Sequence, residues 1–290
     1  MRKLNMRFSE DKLTTFLCSD YVKRTIHIWE PKHPKMVILG LHGGTAHAGD
    51  FVVPALYFRK LGIATVSFDM CGHCSKRVDI PNFDVFLNDA ALFLKCVQRN
   101  YPGLPIFVMG HSMGALIATH MELGPFGKEP GIKGLILSSP YYVNAIKVPK
   151  ILEILSQPLA RLTPRMKVPI EYLTPYVTHD TAITERHIAD ERDNIRATEV
   201  SMRFAASLLS AQVKLRNKLS GWTHPVFVAL AGDDRLADTN AAQAMLQDIP
   251  AGLLECHLYP KNYHENFNEL NRNQIFSSIL AWMHKQLPAQ

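Results

Sequence analysis

The most constraining feature of this chain is a set of short apolar runs with no polar alternation. Met36–Leu41 (MVILGL) and Val226–Ala231 (VFVALA) carry no polar side chain at all. A half-exposed strand would alternate with period two, so such runs must be covered on both faces, the situation of strands in a parallel sheet. Ile63–Phe68, 106–110, 135–138 and 253–259 read as further strands, each bounded by Gly, Asp or Pro, though Thr65, Ser67, Glu255 and His257 interrupt two of them. Helical patterns lie between them at 54–60, 85–99, from Ser112 onward, and at 274–286. Within 85–99, the residues Val85, Leu92, Phe93 and Cys96 are expected on one face. Two earlier strands are read at 14–18 and 24–29. This alternation predicts an α/β fold built on a mostly parallel, doubly wound sheet with helices on both faces.

Residues 141–221 break the rhythm. No buried-strand run occurs there, and Pro149, Pro158, Pro164, Pro169 and Pro175 punctuate short helical patterns. The expectation is a helical cap over the sheet's C-terminal edge, inserted between a first core part (1–140) and a second (222–290). At 290 residues, one large domain with an insertion fits the length. Within the cap, Ile151, Leu152, Ile154, Leu155, Leu159 and Leu162 recur near helical spacing. Lys147, Lys150, Arg161, Arg165 and Lys167 surround them. Two readings stand: a stripe packed on the body, or an exposed lid in transient contact with an anionic membrane surface.

The net charge of +6 comes from 32 basic against 26 acidic residues, dispersed without a basic stripe, so no nucleic-acid partner is expected. Five cysteines in irregular spacing speak against a disulfide framework and for a reducing compartment. The charged start lacks a signal-like apolar region, and no apolar run is long enough for a membrane span. The expectation is a soluble cytoplasmic protein, at most peripheral to membranes.

The chemistry centres on Gly110-His111-Ser112-Met113-Gly114, a G-x-S-x-G pattern between a strand and a helix. A serine on that sharp turn presents its Oγ at the top of the sheet, and the next N–H, from Met113, points into an oxyanion site. A serine hydroxyl needs a base, and the base needs an orienting acid. After Val226–Ala231 come Asp233, Asp234 and Asp238, on a loop where α/β sheets build their sites. Asp234 is the choice among the three, and an unused aspartate is expected to cap the next helix. His264, on the loop before the last helix, is the base, whereas His257 sits inside a strand. Gly44, in His42-Gly43-Gly44, can supply the second backbone oxyanion donor. Cys71 and Cys74 have C-x-x-C spacing, but no second ligand pair accompanies them, so neither metal nor other cofactor is expected.

Taken together, LHGGTAHAGDF (like H-G-x-G-E-H-S-G-R-Y), FDMCGHCS (like D-x-x-G-H-G-x-S), GHSMG, DDRLAD (like A-D-R-x-x-D) and NYHENFNE (like Y-H-E-x-x-N-E) resemble the monoacylglycerol lipase and lysophospholipase branch of the α/β-hydrolases. The segment THDTAITERHIADERDNIRATEVSMRF resembles that family's cap. The resemblance runs from Met36 to the end of the chain and aligns Asp234 with the family acid and Gly44 with its oxyanion donor. It implies a lipid ester as small-molecule substrate, cleaved through an acyl-enzyme on Ser112. There are departures: Thr45-Ala46 replace Gly-Glu, and Cys74 replaces a glycine. A thioesterase or general carboxylesterase is the alternative. A proline-type aminopeptidase would show H-G-G-P-G and G-x-S-W-G, where this chain has Thr45 and Met113. A non-catalytic binding protein of the same fold would commonly lack one of Ser112, Asp234 and His264.

Overall fold

The computed structural model describes residues 7–145, 158 and 160–287. Its main sheet contains β1 (Lys12–Leu17), β2 (Lys23–Trp29), β3 (Met36–Leu41), β4 (Ile63–Phe68), β6 (Ile106–His111), β7 (Ile132–Ser138), β10 (Val226–Ala231) and β11 (Leu254–Tyr259). The eight strands run in the order β1-β2-β4-β3-β6-β7-β10-β11. The β1–β2 and β2–β4 pairs are antiparallel, and all the others are parallel. The α/β expectation therefore holds, and the fully apolar runs β3 and β10 are buried at every residue.

Helices cover both faces. On one side, α2 (Asp84–Asn100) and α3 (Met113–Glu122) pack against Val37, Leu39, Val226 and Val228. On the other, α1 (Val52–Arg59) and α7 (Arg272–Lys285) pack against Met36, Ile38, Phe227 and Ala229. The stripe of α2 that packs inward runs through Val85, Phe86, Ala90, Phe93, Leu94 and Val97. Leu92 departs from expectation and is exposed, because the stripe centres on Phe86 and Phe93 and leaves position 92 just past its margin.

Segment 141–221 contains the expected helices, α4 (Thr181–Arg192) and α5 (Met202–Leu215). It also holds strands the sequence did not reveal. β8 (Lys167–Pro169) and β9 (Glu199–Ser201) join β5 (Arg77–Val78) in a second sheet of three strands. Strands of three residues are too short to produce a periodic apolar signal. Of the expected lid stripe, Leu162 is 81% exposed. Ile151, Leu152, Ile154, Leu155 and Leu159, with Lys147 and Lys150, lie outside the described residues. Among the described residues, no helix is long and apolar enough to cross a membrane.

The position of the site follows from topology. The chain leaves β3 to form β4 on one side and returns to place β6 on the other. The crevice at the C-terminal ends of β3 and β6 is thus a topological switch point, where loops diverge and leave room for a ligand.

One buried charge group fastens the N-terminal segment to this scaffold. His27 Nδ1 lies 2.7 Å from Glu10 Oε1, and its Nε2 lies 3.6 Å from Asp69 Oδ2. Burial works against charge on His27, but Asp69 and Glu10 outweigh it and raise its pKa from 6.5 to about 9. A folded-state pKa above the unfolded one stabilises the fold fully below 6.5, and the contribution is lost as pH rises through 9. His27→Gln should therefore cost about 2 kcal/mol near neutral pH and progressively less in alkaline solution. Thermal melts across pH check this, and an equal cost at every pH would contradict it.

Candidate active site

Ser112 sits between β6 and α3 with φ 53° and ψ −115°, a conformation that non-glycine residues rarely adopt. Its N–H donates to the Ser138 carbonyl at 2.9 Å, and its carbonyl accepts from Ala115 and Leu116 at 3.0 and 3.1 Å. The two flanking glycines are sterically required. A Cβ on Gly114 would stand 1.9 Å from the Leu41 carbonyl oxygen, and one on Gly110 would stand 2.6 Å from that of Gly114. This close approach seats α3 on the ends of β3 and β6.

His264 lies on the loop after β11, and its Nδ1 donates to Asp234 Oδ2 at 2.7 Å. Asp234 Oδ1 accepts the backbone N–H groups of Leu236 and Ala237, each at 2.9 Å. Burial alone would raise the Asp234 pKa, but His264 and these two donors hold it below the ordinary carboxylate value. Burial likewise opposes charge on His264, yet Asp234 raises its pKa above the ordinary imidazole value. With Nδ1 committed, Nε2 is the free basic atom. It is buried and has no hydrogen bond among the described residues, so Ser112 and His264 face one cavity without being bonded to each other. The His111 ring packs 4.9 Å from that of His264, and burial pushes its pKa down to about 3, so it stays neutral beside that ring.

The structure separates the rival residues. Asp238 caps α6 (Thr239–Leu246) by accepting the Ala241 N–H at 2.9 Å. Asp233 is on the surface, 3.7 Å from Arg235. His257 lies on the edge strand β11, 3.1 Å from Glu255. None of the three reaches the cavity.

Gly44 and Met113 are neighbours: a Cβ on Gly44 would lie 3.7 Å from Met113 Cβ. Their N–H groups make no hydrogen bond among the described residues. Two histidines shape this loop. Met70 N–H donates to His42 Nε2 at 3.0 Å, and His42 Nδ1 donates to the Gly43 carbonyl. Burial holds the His42 pKa down at about 3, which suits this neutral tautomer. His73 Nε2 lies 2.9 Å from the Gly44 carbonyl oxygen, and its Nδ1 lies 2.9 Å from that of Cys71. The Cys71–Cys74 segment thus contributes through His73, and both cysteines are free thiols.

The cavity measures about 340 Å³. Val168, Ile170, Leu173, Val177, Phe204 and Leu208 form much of its apolar wall, and Thr45, Arg196 and Glu265 add polar groups to its lining. The sequence reading missed the last two. Arg196 is paired with Asp50 and lies 3.8 Å from Glu265, whose other oxygen accepts from Asn268 at 2.7 Å. His187 and Arg186 reach the same Asp50 from α4. Asp50 lies 136 residues from Arg186 and 146 from Arg196, so no local pattern paired them.

Comparison with known proteins gives the family. Residues 32–271 match the family model described as Hydrolase_4: Serine aminopeptidase, S33. Phospholipase YtpA of Bacillus subtilis is 29% identical over 88% of this chain and 97% of its own length. The human monoglyceride lipase is 28% identical over 88% of this chain and 84% of its own. A soluble variant of monoglyceride lipase from Saccharomyces cerevisiae, solved with a substrate analog, superposes with a TM-score of 0.80 at 21% identity, covering 96% of both chains. The chain belongs to the serine aminopeptidase S33 (Hydrolase_4) family, as an α/β-hydrolase of the monoacylglycerol lipase branch.

Proposed function

We propose that this lipid ester hydrolase cleaves a monoacylglycerol or a lysophospholipid through an acyl-enzyme on Ser112. His264 is the base, Asp234 the acid that orients it, and the Gly44 and Met113 N–H groups are the oxyanion donors. The observation that carries the reading is the commitment of His264 Nδ1 to Asp234, which leaves Nε2 basic in the cavity that holds Ser112. Nε2 takes the Ser112 proton as Oγ attacks the ester carbonyl, then delivers it to the departing alcohol. The imidazolium formed in between is stabilised by buried Asp234, and the two N–H groups meet the oxyanion. The apolar wall supports an acyl chain as ligand, and the Arg196 and Glu265 end supports the alcohol portion. The names of the bacterial phospholipase and the human lipase point the same way.

Cleavage of a peptide, to which the family description refers, fits less well. An α-ammonium group needs a free carboxylate, and Glu265 on the cavity wall already faces Arg196 and Asn268. A thioester would use the same machinery, so matched oxygen esters and thioesters should be compared directly.

A fluorophosphonate probe should label the protein once and fail on Ser112→Ala. Full labelling of that variant would remove the assignment. Asp234→Asn should lower turnover by ~10⁴, whereas Asp238→Asn, which keeps a side-chain oxygen for the Ala241 N–H, should cost far less. The reverse ranking would move the acid to Asp238.

The pH profile has a definite sign. Only neutral His264 acts as base, so kcat/KM should rise as pH climbs through an apparent pKa above the ordinary imidazole value of 6.5. Residual activity of Asp234→Asn should titrate lower. A rate that falls across that interval would contradict the role of His264.

We also propose that the cap touches anionic membrane surfaces, because Leu162 is 81% exposed with Arg161 and Arg165 exposed beside it. Each basic residue near such a surface contributes ~1 kcal/mol, screened by salt. Cosedimentation with anionic vesicles should weaken with salt and with Leu162→Ser. No binding at low salt would dismiss the contact.

A further inference from the structure

Asp234 and His264 lie on different loops, so the 2.7 Å bond between them exists only while each loop holds its own residue in place. The Asp234 loop does this for itself, through the Leu236 and Ala237 N–H groups. The His264 loop is secured at two points. The backbone N–H groups on either side of His264 both have partners. Glu265 donates to the Val177 carbonyl at 2.7 Å, and Tyr263 donates to Glu269 Oε1 at 2.9 Å. Val177 belongs to segment 141–221, so one anchor comes straight from the cap.

Glu269 ties the other anchor to the cap as well. It is buried, and its Oε1 accepts the His179 backbone N–H at 3.2 Å and lies 2.9 Å from His179 Nδ1. Its Oε2 accepts the Leu270 N–H at 3.2 Å. Beside this junction Thr178 Oγ1 donates to the Asn268 carbonyl at 2.9 Å, and the His179 ring stacks on that of Tyr263 with centroids 3.7 Å apart. Residues 177–179 thus run along 263–269, and one buried carboxyl group takes up both the N–H before His264 and the cap. A carboxyl group suits this place because each oxygen accepts more than one hydrogen bond, so donors from two segments can meet on it. Neither Glu269 nor His179 lines the large cavity, so neither reaches a substrate held there.

We propose that Glu269 is a positioning residue for the reaction: by joining the Tyr263 N–H to His179 of the cap, it holds the His264 ring on Asp234. The inference rests on the acyl-enzyme reading above, in which His264 is the base. Without Glu269 the peptide before His264 loses its partner, and the ring is left anchored from the Glu265 side alone. A catalytic group displaced by about 1 Å costs ~10² in rate, so a small drift of this loop is enough to be read in turnover. The cap therefore does more than wall the cavity, since the seating of residues 177–179 also sets the place of the base.

Steady-state turnover of p-nitrophenyl acetate and p-nitrophenyl decanoate tests this, with thermal melts to show which variants fold. Glu269→Ala should lower kcat about 10²-fold on both esters and leave KM within about threefold, because a misplaced base slows the reaction whatever the acyl chain. Glu269→Gln keeps an oxygen for the Tyr263 N–H and should return kcat to within about fivefold of the parent. His179→Ala removes the cap's ring from the junction and should cost about fivefold in kcat on both esters. Asp234→Asn abolishes the contact that Glu269 serves, so Glu269→Ala added to it should cost less than about threefold, whereas an independent structural role would repeat the full loss. If Glu269→Ala fails to fold, His179→Ala carries the same comparison, alone and on Asp234→Asn. Four outcomes would overturn the positioning role and leave the acyl-enzyme standing: kcat unchanged within about twofold, a loss confined to KM for the decanoate, a glutamine variant as slow as the alanine one, or a loss repeated in full on Asp234→Asn. A parent protein that fails to label with fluorophosphonate would overturn both.

Discussion

Everything at this active centre hangs on the backbone of one residue, Ser112, held with φ at 53° between a strand and a helix. An L-residue there costs of order 1–3 kcal/mol, and the surroundings must over-determine it. They do so by close approach. Gly114 lies so near the end of β3, and Gly110 so near the start of α3, that no side chain could be placed at either. The Ser138 carbonyl then fixes the Ser112 N–H from β7. The turn that strains Ser112 also leaves the Met113 N–H without a helical partner, next to Gly44. The positions of Ser112 and of the Met113 and Gly44 N–H groups are therefore consequences of a single packing arrangement, which exists because β3 and β6 are neighbours at the switch point.

Electrostatics around this turn are arranged by burial as much as by charge. His111 and His42 would add positive charge near His264, but desolvation keeps both neutral, with pKa values pushed down to about 3. His264 is equally buried and yet has a raised pKa, because Asp234 touches it directly. The difference between these histidines is one carboxylate contact, which offsets a desolvation penalty they all share. Above the site the cap is tied down by opposite charges taken out of water. Arg196 and Arg186 converge on Asp50, and Arg235 stacks between Tyr176 of the cap and Tyr263 of the His264 loop, at 4.9 and 5.7 Å. Buried ion pairs such as Arg196–Asp50 add little net stability, but breaking one leaves a stranded charge, so they hold residues 181–196 in one seating, whereas half-exposed Arg235 adds a cation–π contact.

What could be read from the sequence follows the physics of each signal. β3 and β10 were legible to the residue, since strands buried on both faces leave unbroken apolar runs, and β4 was legible from its Gly62 and Asp69 bounds. The choice of Asp234 for the contact with His264 was legible from loop position and from the expectation that a spare aspartate caps a helix, as Asp238 does. The strands β8 and β9 were not legible, because three residues carry no period. Leu92 was misplaced because four residues define a helical stripe too loosely to fix its centre. The grouping of Asp50, Arg196 and Glu265 was invisible for another reason. Each is an ordinary charged residue in its own stretch, and only the fold brings the three together.

The departures from the family-like motifs form a pattern once placed in space. Cys74 takes a glycine's place with φ at 55°, the left-handed region, so the backbone of that loop is kept at a cost of roughly 1 kcal/mol. His73, next to it, still reaches the Gly44 carbonyl, so the oxyanion loop is held from the same side. The electrostatics, in contrast, are rewritten. Where H-G-x-G-E-H-S-G-R-Y has a glutamate and an arginine, this chain has Ala46 and Asp50. The loop has thus exchanged one charge of each sign for a single negative one, and the positive partners, Arg186 and Arg196, come from the cap. Backbone geometry around Ser112 comes from β3, β6 and α3, whereas the positive charge on the cavity lining, Arg196, comes from residues 141–221. Substitutions within residues 141–221 can therefore change the charge on the cavity lining without disturbing the close approach of Gly110 and Gly114 around Ser112.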